Sequence, residues 1–271
     1  MVTRMFKSIA LGGGGIRGGL HVGALKAIQQ TQGHLQFPNG IYGCSVGAIF
    51  ATSVAFNLSI DQIQTMYNKY FSFERMFPSF TLQNVTQLTE RKGLFSAEPV
   101  LEALVEGFKE CGIDLTNKTI SDSPQKLYIL SSNLTTGKRN LLTGQVPILK
   151  ALQCSISIPI VFQPVELYGH IHVDGGVYTR CIQDVVPEDT LVIHISSIGK
   201  PVTTSSSLYD IVYSCYSGVI TQYYGKNIVT MKNINLTPLS QVTEEQKKQM
   251  VEEGYSQTLA FLSKRLTQEL Q

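Results

Sequence analysis

The chain has 271 residues, 43% hydrophobic and 15% charged, which supplies enough apolar side chains for a sizeable core and excludes an intrinsically disordered protein. Its formal charge of +2 is too small for a nucleic-acid binder, in which Lys and Arg concentrate on one face. Cys44, Cys111, Cys154, Cys181 and Cys215 are scattered, odd in number and never paired as CxxC. That pattern argues against a disulfide framework or a zinc site and suits a reducing compartment.

The opening MVTRMFKSIALGGGG lacks the long apolar run and small-residue cleavage site of a secretory signal. The apolar stretch from Val46 to Phe56 is about half of the roughly 20 residues that cross a bilayer. The expected location is therefore cytoplasmic or peripheral to a membrane. Lys7 to Leu11 reads as a short buried strand, ended by a glycine run before the helical composition of His21 to Gln30. The pattern recurs when Ile41-Tyr42 leads into Gly-Cys-Ser-Val-Gly and a second apolar helix, followed by a third helix with Ser59 as N-cap. Further strands are expected over Lys126 to Leu134, around Ile171 to Val173, and over Thr190 to Ile198. Thr243 and Gln246 have capping-box spacing, and Val251, Tyr255, Leu259, Leu262, Leu266 and Leu270 then step by three or four. Alternating strands and helices predict an α/β layered fold, closed by a long amphipathic C-terminal helix. No repeat or linker divides the chain, so residues 1–271 are expected to form one domain.

Three positions carry chemistry. In Leu11 to Gly19, LGGGGIRGG, consecutive glycines can turn several backbone amides to one side while the next helix adds its positive dipole end. Such a loop serves equally as an oxyanion hole, a phosphate site or a tight turn, although the P-loop spacing GxxxxGK[ST] is absent. Gly43-Cys44-Ser45-Val46-Gly47 has the GxSxG form, and Gly43, Gly47 and Ala48 leave room for a strained strand-to-helix turn that exposes a nucleophile. Asp174, followed by Gly175 and Gly176, ends a strand where a carboxylate can reach across a sheet edge. Of the five histidines, His21, His34, His170, His172 and His194, only His194 follows Ser45 and Asp174 in the order of an α/β-hydrolase triad. It lies inside the apolar strand LVIHIS, where a buried structural role is the simpler reading.

Taken together, the glycine loop followed by arginine, the GxSxG elbow and the distant DGG resemble the patatin-like phospholipases. GGGGIRGGLHVGALKAI looks like that family's first loop and helix, and Ala151 to Val177 like its segment leading to the DGG strand. The resemblance implies a three-layer α/β/α sandwich around a central, mostly parallel sheet. It also implies a phospholipase A-type acyl hydrolase, with Ser45 as nucleophile, Asp174 as base and the amides of Gly13, Gly14 and Gly15 as oxyanion hole. Arg17 would then orient the loop or meet substrate phosphate. No metal or organic cofactor is implied; the partner is a lipid ester, met at a membrane or lipid aggregate. A neutral-lipid or lysophospholipid esterase, a non-catalytic lipid-binding protein and a nucleotide-binding protein are the alternatives. After DGGV the family commonly has an asparagine and then a proline, whereas Arg180, Cys181 and Ile182 stand here, which bears on local loop geometry. Two aromatic segments, Met66 to Phe80 with Lys69 and Arg75, and Ser207 to Gly225 with Tyr209, Tyr213 and Tyr216, read either as lipid-contacting surfaces or as core.

Overall fold

The computed structural model describes residues 6–72, 86, 88–196, 203–206, 225–231 and 241–269. Strand β1 (Ser8–Leu11) is wholly buried and runs through the glycine loop into helix α1 (Gly19–Gln32). Strand β2 (Gly40–Cys44) turns at Ser45 into α2 (Val46–Ala55), in which all ten residues are buried. Helix α3 (Ile60–Tyr70) starts at Ser59, whose hydroxyl and backbone exchange hydrogen bonds with Gln62 in a capping box. Then come the short α4 (Leu88–Arg91), β3 (Gly93–Phe95) and α5 (Glu98–Glu110). A hairpin of β4 (Leu127–Asn133) and β5 (Lys138–Leu142) precedes α6 (Ile148–Ile156). Strands β6 (Ile160–Phe162), β7 (Val165–Leu167), β8 (His170–Asp174), β9 (Leu191–Ile195) and β10 (Ile228–Met231) follow, and α7 (Glu244–Glu269) ends the described chain.

Eight strands form one sheet in the order β10-β9-β1-β2-β4-β8-β7, with β5 also paired to β4; β3 and β6 form a separate pair. From β10 to β4 every pairing is parallel. Beyond β4 the sheet is antiparallel, because β4–β5 and β7–β8 are joined by hairpins too short for a crossover helix. The expectation of a mostly parallel sheet thus describes one side of the molecule, and Asp174 lies on the other. Both faces are buried, as near-continuous apolar strands require. Ile9, Leu11, Ile41, Ile129 and Ile193 join the larger core with α1, α2, α3, α5, α6 and α7, while Ala10, Tyr42, Cys44, Leu130 and Val192 pack on the second face against Cys181 and Ile182.

Helix α7 is N-capped by the Thr243–Gln246 pair the sequence marks and packs along α1. Its buried stripe is Lys247, Met250, Val251, Gly254, Thr258 and Leu262, while Tyr255, Leu259 and Leu266 are half-buried at its margins. Lys247 is buried between helices, donating to the Asn68 carbonyl at 3.0 Å and to Glu244 at 2.8 Å. The two backbones meet at paired glycines. A Cβ on Gly23 would lie 2.0 Å from the Val251 carbonyl oxygen, and one on Gly254 would lie 2.2 Å from that of Leu20.

Gly23→Ala tests this contact. Alanine improves helix propensity by about 1 kcal/mol, but it forces two backbones apart, and overpacking usually costs about 1–3 kcal/mol. With backbone atoms this close, the clash should dominate and lower stability by about 2 kcal/mol. Thermal unfolding checks it: an unchanged or higher Tm would mean that the helices do not meet this way.

Candidate active site

Each edge of a β-strand pairs with one neighbour at a time, and β4 has three. Ile129 to Asn133 pair with β5. On the opposite edge, β2 occupies the first half of β4, with Cys44 opposite Leu130, and β8 occupies the second half, with Asp174 opposite Ser131. Because β2 is parallel to β4 and β8 antiparallel, their C-terminal ends meet head to head. Ser45, the residue after Cys44, is thereby delivered to Asp174.

The elbow at Ser45 is strained. Its φ of 54° and ψ of −131° place a non-glycine residue at positive φ, an arrangement that costs free energy and persists only where neighbours over-determine it. Glycines on both sides make the turn possible. A Cβ on Gly47 would sit 2.2 Å from the Leu11 carbonyl oxygen, and one on Gly43 would sit 2.4 Å from the Ala48 Cα. The Ser45 amide donates to Ser155 Oγ at 2.9 Å, and that hydroxyl donates to the Leu130 carbonyl at 2.7 Å. Ser155, on α6 and fully buried, therefore ties the elbow to β4.

Asp174 is held just as tightly. Its amide donates to the Ser157 carbonyl at 2.9 Å, and its Oδ1 accepts from the Gly176 amide at 2.7 Å. Oδ2 is buried and meets hydrogen-bond geometry with no described group. The Ser45 hydroxyl is near enough to favour the carboxylate, as is the Gly176 amide, but burial outweighs both and raises the carboxyl pKa to about 6. Contacts between candidate catalytic groups are often long or poorly aligned before substrate binds. Gly175 permits the tight approach of this loop, since a Cβ there would lie 2.6 Å from the Leu130 carbonyl oxygen and 2.8 Å from Cys44 Sγ.

The glycine loop is gripped by its carbonyls. His21 Nε2 donates to the Gly12 carbonyl at 2.8 Å, and the Arg17 amide and Nε donate to the Gly14 carbonyl at 3.2 and 3.0 Å. The described peptides are trans, so each amide points away from the carbonyl before it. The Gly13 amide accordingly faces the Cys44 thiol, whose pKa burial pushes well up, a rise that this amide only partly offsets. The Gly15 amide points away from Arg17, at a φ of 57° that suits glycine. Gly13 borders the nucleophile: a Cβ on it would lie 3.4 Å from that of Ser45. Arg17 is 2% exposed and also donates from Nη1 to the Ser196 carbonyl at 3.0 Å. Both of these side-chain bonds go to backbone carbonyls.

His194 lies on β9, with β1 between it and β2, on the side of Ser45 away from β8. A triad histidine must stand between serine and acid, and this strand order does not put it there. Burial, aided by the nearby Arg17 charge, lowers its pKa to about 4, and burial likewise lowers that of His21 to about 4. His172, two residues before Asp174, pairs its Nδ1 with Ser131 Oγ at 2.9 Å. Among the described residues, no three His, Cys, Asp or Glu side chains converge as a metal site. The sequence reading missed His21, Ser155 and Ser132. The Ser132 hydroxyl donates to the Gly175 carbonyl at 3.3 Å and accepts from the Tyr178 amide at 3.1 Å. The only sequence signal for Ser155 was its place in the Ser-rich run before the proline.

Where Arg180-Cys181-Ile182 departs from the family pattern, Cys181 and Ile182 fill the second core and Arg180 is exposed. Of the Met66 to Phe80 segment, Met66, Tyr67, Tyr70 and Phe71 are core, while Lys69 is exposed and paired with Glu110. Residues 73–80, Arg75 among them, and 207–224, with Tyr209, Tyr213, Cys215 and Tyr216, lie outside the described residues. No described helix is long and apolar enough to cross a membrane.

The chain is similar to a probable lipid hydrolase of Invertebrate iridescent virus 6, with 26% identity over 87% of this chain and 80% of that protein. An uncharacterized protein of Acanthamoeba polyphaga mimivirus is 30% identical over 63% of this chain and 58% of its own length. The alignment thus spans little more than half of the mimivirus relative. Two bacterial structures share the fold. VipD from Legionella pneumophila has a TM-score of 0.57 and 16% identity, over 97% of this chain and 68% of that one. ExoU of Pseudomonas aeruginosa, in its complex with SpcU, has a TM-score of 0.58 and 17% identity, over 97% and 52%. The patatin-like phospholipase profile matches residues 9–186, more than half of the chain and inclusive of the glycine loop, Ser45 and Asp174, and the chain belongs to the patatin-like phospholipase family.

Proposed function

We propose that the protein is a lipid acyl hydrolase of phospholipase A type, working through a Ser45–Asp174 dyad. The observation that carries this reading is the meeting of a strained, buried serine with a buried carboxyl whose pKa is raised to about 6. An aspartate at its usual pKa of about 4 is a feeble base toward a hydroxyl, and each unit of increase strengthens it while leaving it ionised at neutral pH. Asp174 takes the Ser45 proton as Oγ attacks the ester carbonyl. The tetrahedral oxyanion is held by the amides of Gly14 and Gly15, the latter pointing away from Arg17, while Gly13, whose amide faces Cys44, borders Ser45. Collapse expels the alcohol, which takes the proton from Asp174 and leaves an acyl-Ser45. Water, deprotonated by Asp174, then releases the fatty acid and restores the serine. Family membership supports a fatty-acyl ester of a phospholipid as substrate, with neutral lipids and lysophospholipids as the competing classes in a substrate screen.

Ser45→Ala and Asp174→Asn should each lower ester turnover by at least about a thousandfold without unfolding the protein. A serine-directed fluorophosphonate should label the parent chain at Ser45 and leave Ser45→Ala unlabelled. Normal turnover in either variant would end the dyad reading, and an unlabelled parent that binds lipid would favour the non-catalytic alternative. The kcat/KM of the parent should rise with pH through about 6, as Asp174 ionises, and then level off.

Asp174 also sets a pH dependence of stability. Its folded pKa lies above its unfolded value, so the native state holds the proton more tightly and stability falls as pH rises from about 4 to about 6. Asp174→Asn keeps an oxygen for the Gly176 amide and removes the buried charge. It should match the parent below pH 4 and exceed it at pH 8 by on the order of 2–3 kcal/mol, because each pH unit between the unfolded and folded pKa is worth about 1.4 kcal/mol. Chemical denaturation at the two pH values measures this, and a variant less stable at pH 8 would contradict it.

A further inference from the structure

Among the described residues, the exposed large hydrophobic side chains are Leu134, Ile160, Tyr168, Ile171 and Tyr178. All fall between the end of β4 and the loop after Asp174, and three of them sit on two adjoining hairpin tips. Leu134 opens the β4–β5 turn, Tyr168 lies in the β7–β8 turn, and Ile171 follows it on β8. The tips are stitched together, since the Leu134 amide donates to the Ile171 carbonyl at 2.8 Å and the Ile171 amide to Thr135 Oγ1 at 2.9 Å.

These tips stand at the end of the sheet where Ser45 lies. Strand β4 runs parallel to β2 and past its end, so Leu134 is four residues beyond Leu130, the partner of Cys44, or roughly 13 Å at the usual rise per residue. Strand β8 then runs back from Ile171 to Asp174, three residues or roughly 10 Å away. Tyr168 is the least expected residue here. It is 71% exposed and has a φ of 52°, next to Gly169 at 76°, and a tight turn of this kind favours Asn, Asp or Gly. Neither packing nor turn geometry calls for an aromatic ring there. Lys138 begins β5 at the same tip, and Arg180 is exposed beyond Tyr178; Arg139 pairs with Asp184 at 3.8 Å, and Glu166 is the acid opposite Ile171.

We infer that the paired hairpin tips are the surface by which the protein docks on a lipid aggregate bearing anionic headgroups, with Leu134, Tyr168 and Ile171 entering the interface and Lys138 meeting headgroup charge. A tyrosine with an apolar ring and a polar end suits a lipid–water boundary, as do exposed aliphatics flanked by cations. Docking there directs the end of the sheet that holds Ser45 and Asp174 toward the lipid. Because this deepens the lipid-hydrolase reading, on which it rests, its test separates docking from turnover.

The inactive Ser45→Ala protein is sedimented with vesicles of phosphatidylcholine alone or mixed with phosphatidylserine. It should bind the mixed vesicles more tightly, and adding Leu134→Ser, Tyr168→Asn and Ile171→Ser should weaken that binding at least about tenfold. Tyr168→Asn alone supplies a residue the turn favours, so it tests docking without risk to folding, and should weaken binding measurably. With Ser45 present, the triple variant should hydrolyse a soluble short-chain ester at the parent rate and lose activity on vesicles. Equal vesicle binding by tip-substituted and parent proteins, or parent binding no tighter to mixed vesicles, would overturn the inference. A parent inert toward the soluble ester would instead count against the hydrolase reading and leave the binding result to stand by itself.

Discussion

The site depends on how one strand shares its edge. With β5 filling one side of β4, strands β2 and β8 must divide the other, and the junction between them is where Ser45 and Asp174 meet. A head-to-head junction interrupts the ladder and leaves backbone groups that need partners. The last turn of α6 supplies them. Ser155 bridges the Leu130 carbonyl and the Ser45 amide, and the Ser157 carbonyl receives the Asp174 amide. One short helix end thus fixes both Ser45 and Asp174 from the same side, which is what holds a strained serine in place.

The electrostatics follow from what is kept away from Asp174 as much as from what is near it. Among the described residues no cation is one of the groups that shift its pKa, so burial dominates and the carboxyl rises toward neutrality. Arg17 is buried too, and its Nε and Nη1 donate to the Gly14 and Ser196 carbonyls. An arginine turned toward Asp174 would stabilise the carboxylate and weaken it as a base. Bound to the glycine-loop carbonyl of Gly14, Arg17 is a buried cation that does not enter the set of groups shifting the Asp174 carboxyl. His21 makes the same kind of contact with Gly12, and the low pKa of this buried ring keeps it neutral at physiological pH.

Much of this was legible in the sequence, for identifiable reasons. β1, β2, β4 and β8 appear within a residue or two of where the pattern put them, and β9 ends at Ile195, three residues before the expected Ile198. β5 reads KRNLL, too polar for an apolar pattern to register, and β3, β6 and β7 have three residues each, too short for periodicity. The head-to-head junction was hidden because it depends on which strand claims which part of β4, and no local pattern encodes that. Ser45 and Asp174 announced themselves through neighbouring glycines, which a tight elbow and a close loop require. His21 and Ser155 did not, since a polar residue on a helix face looks the same whether it meets solvent or a backbone carbonyl. In α7 the apolar stepping located the helix and the Val251 and Leu262 positions of its seam, but not Gly254 and Thr258, where small size matters more than hydrophobicity.

That seam connects the part of the chain outside the family match to the site inside it. Helix α7 begins well beyond residue 186, where the match ends, yet it packs on α1, the helix that the glycine loop enters. At Gly19, the first residue of α1, a Cβ would lie 2.8 Å from both the Met250 Cβ and the Tyr67 hydroxyl, so α3 and α7 close directly on the loop exit. One turn later Gly23 rests on the α7 backbone. The loop is therefore fixed at both ends, to β9 through the bond from the Gly12 amide to the Ile193 carbonyl and by α1 through its contact with α7. Backbone amides that stabilise a transition state must be pre-aimed, because reorganising them during the reaction would cost the free energy they are meant to supply. A C-terminal helix of little family resemblance can meet that need, since a close glycine contact and a stiff rod are all the loop demands of it.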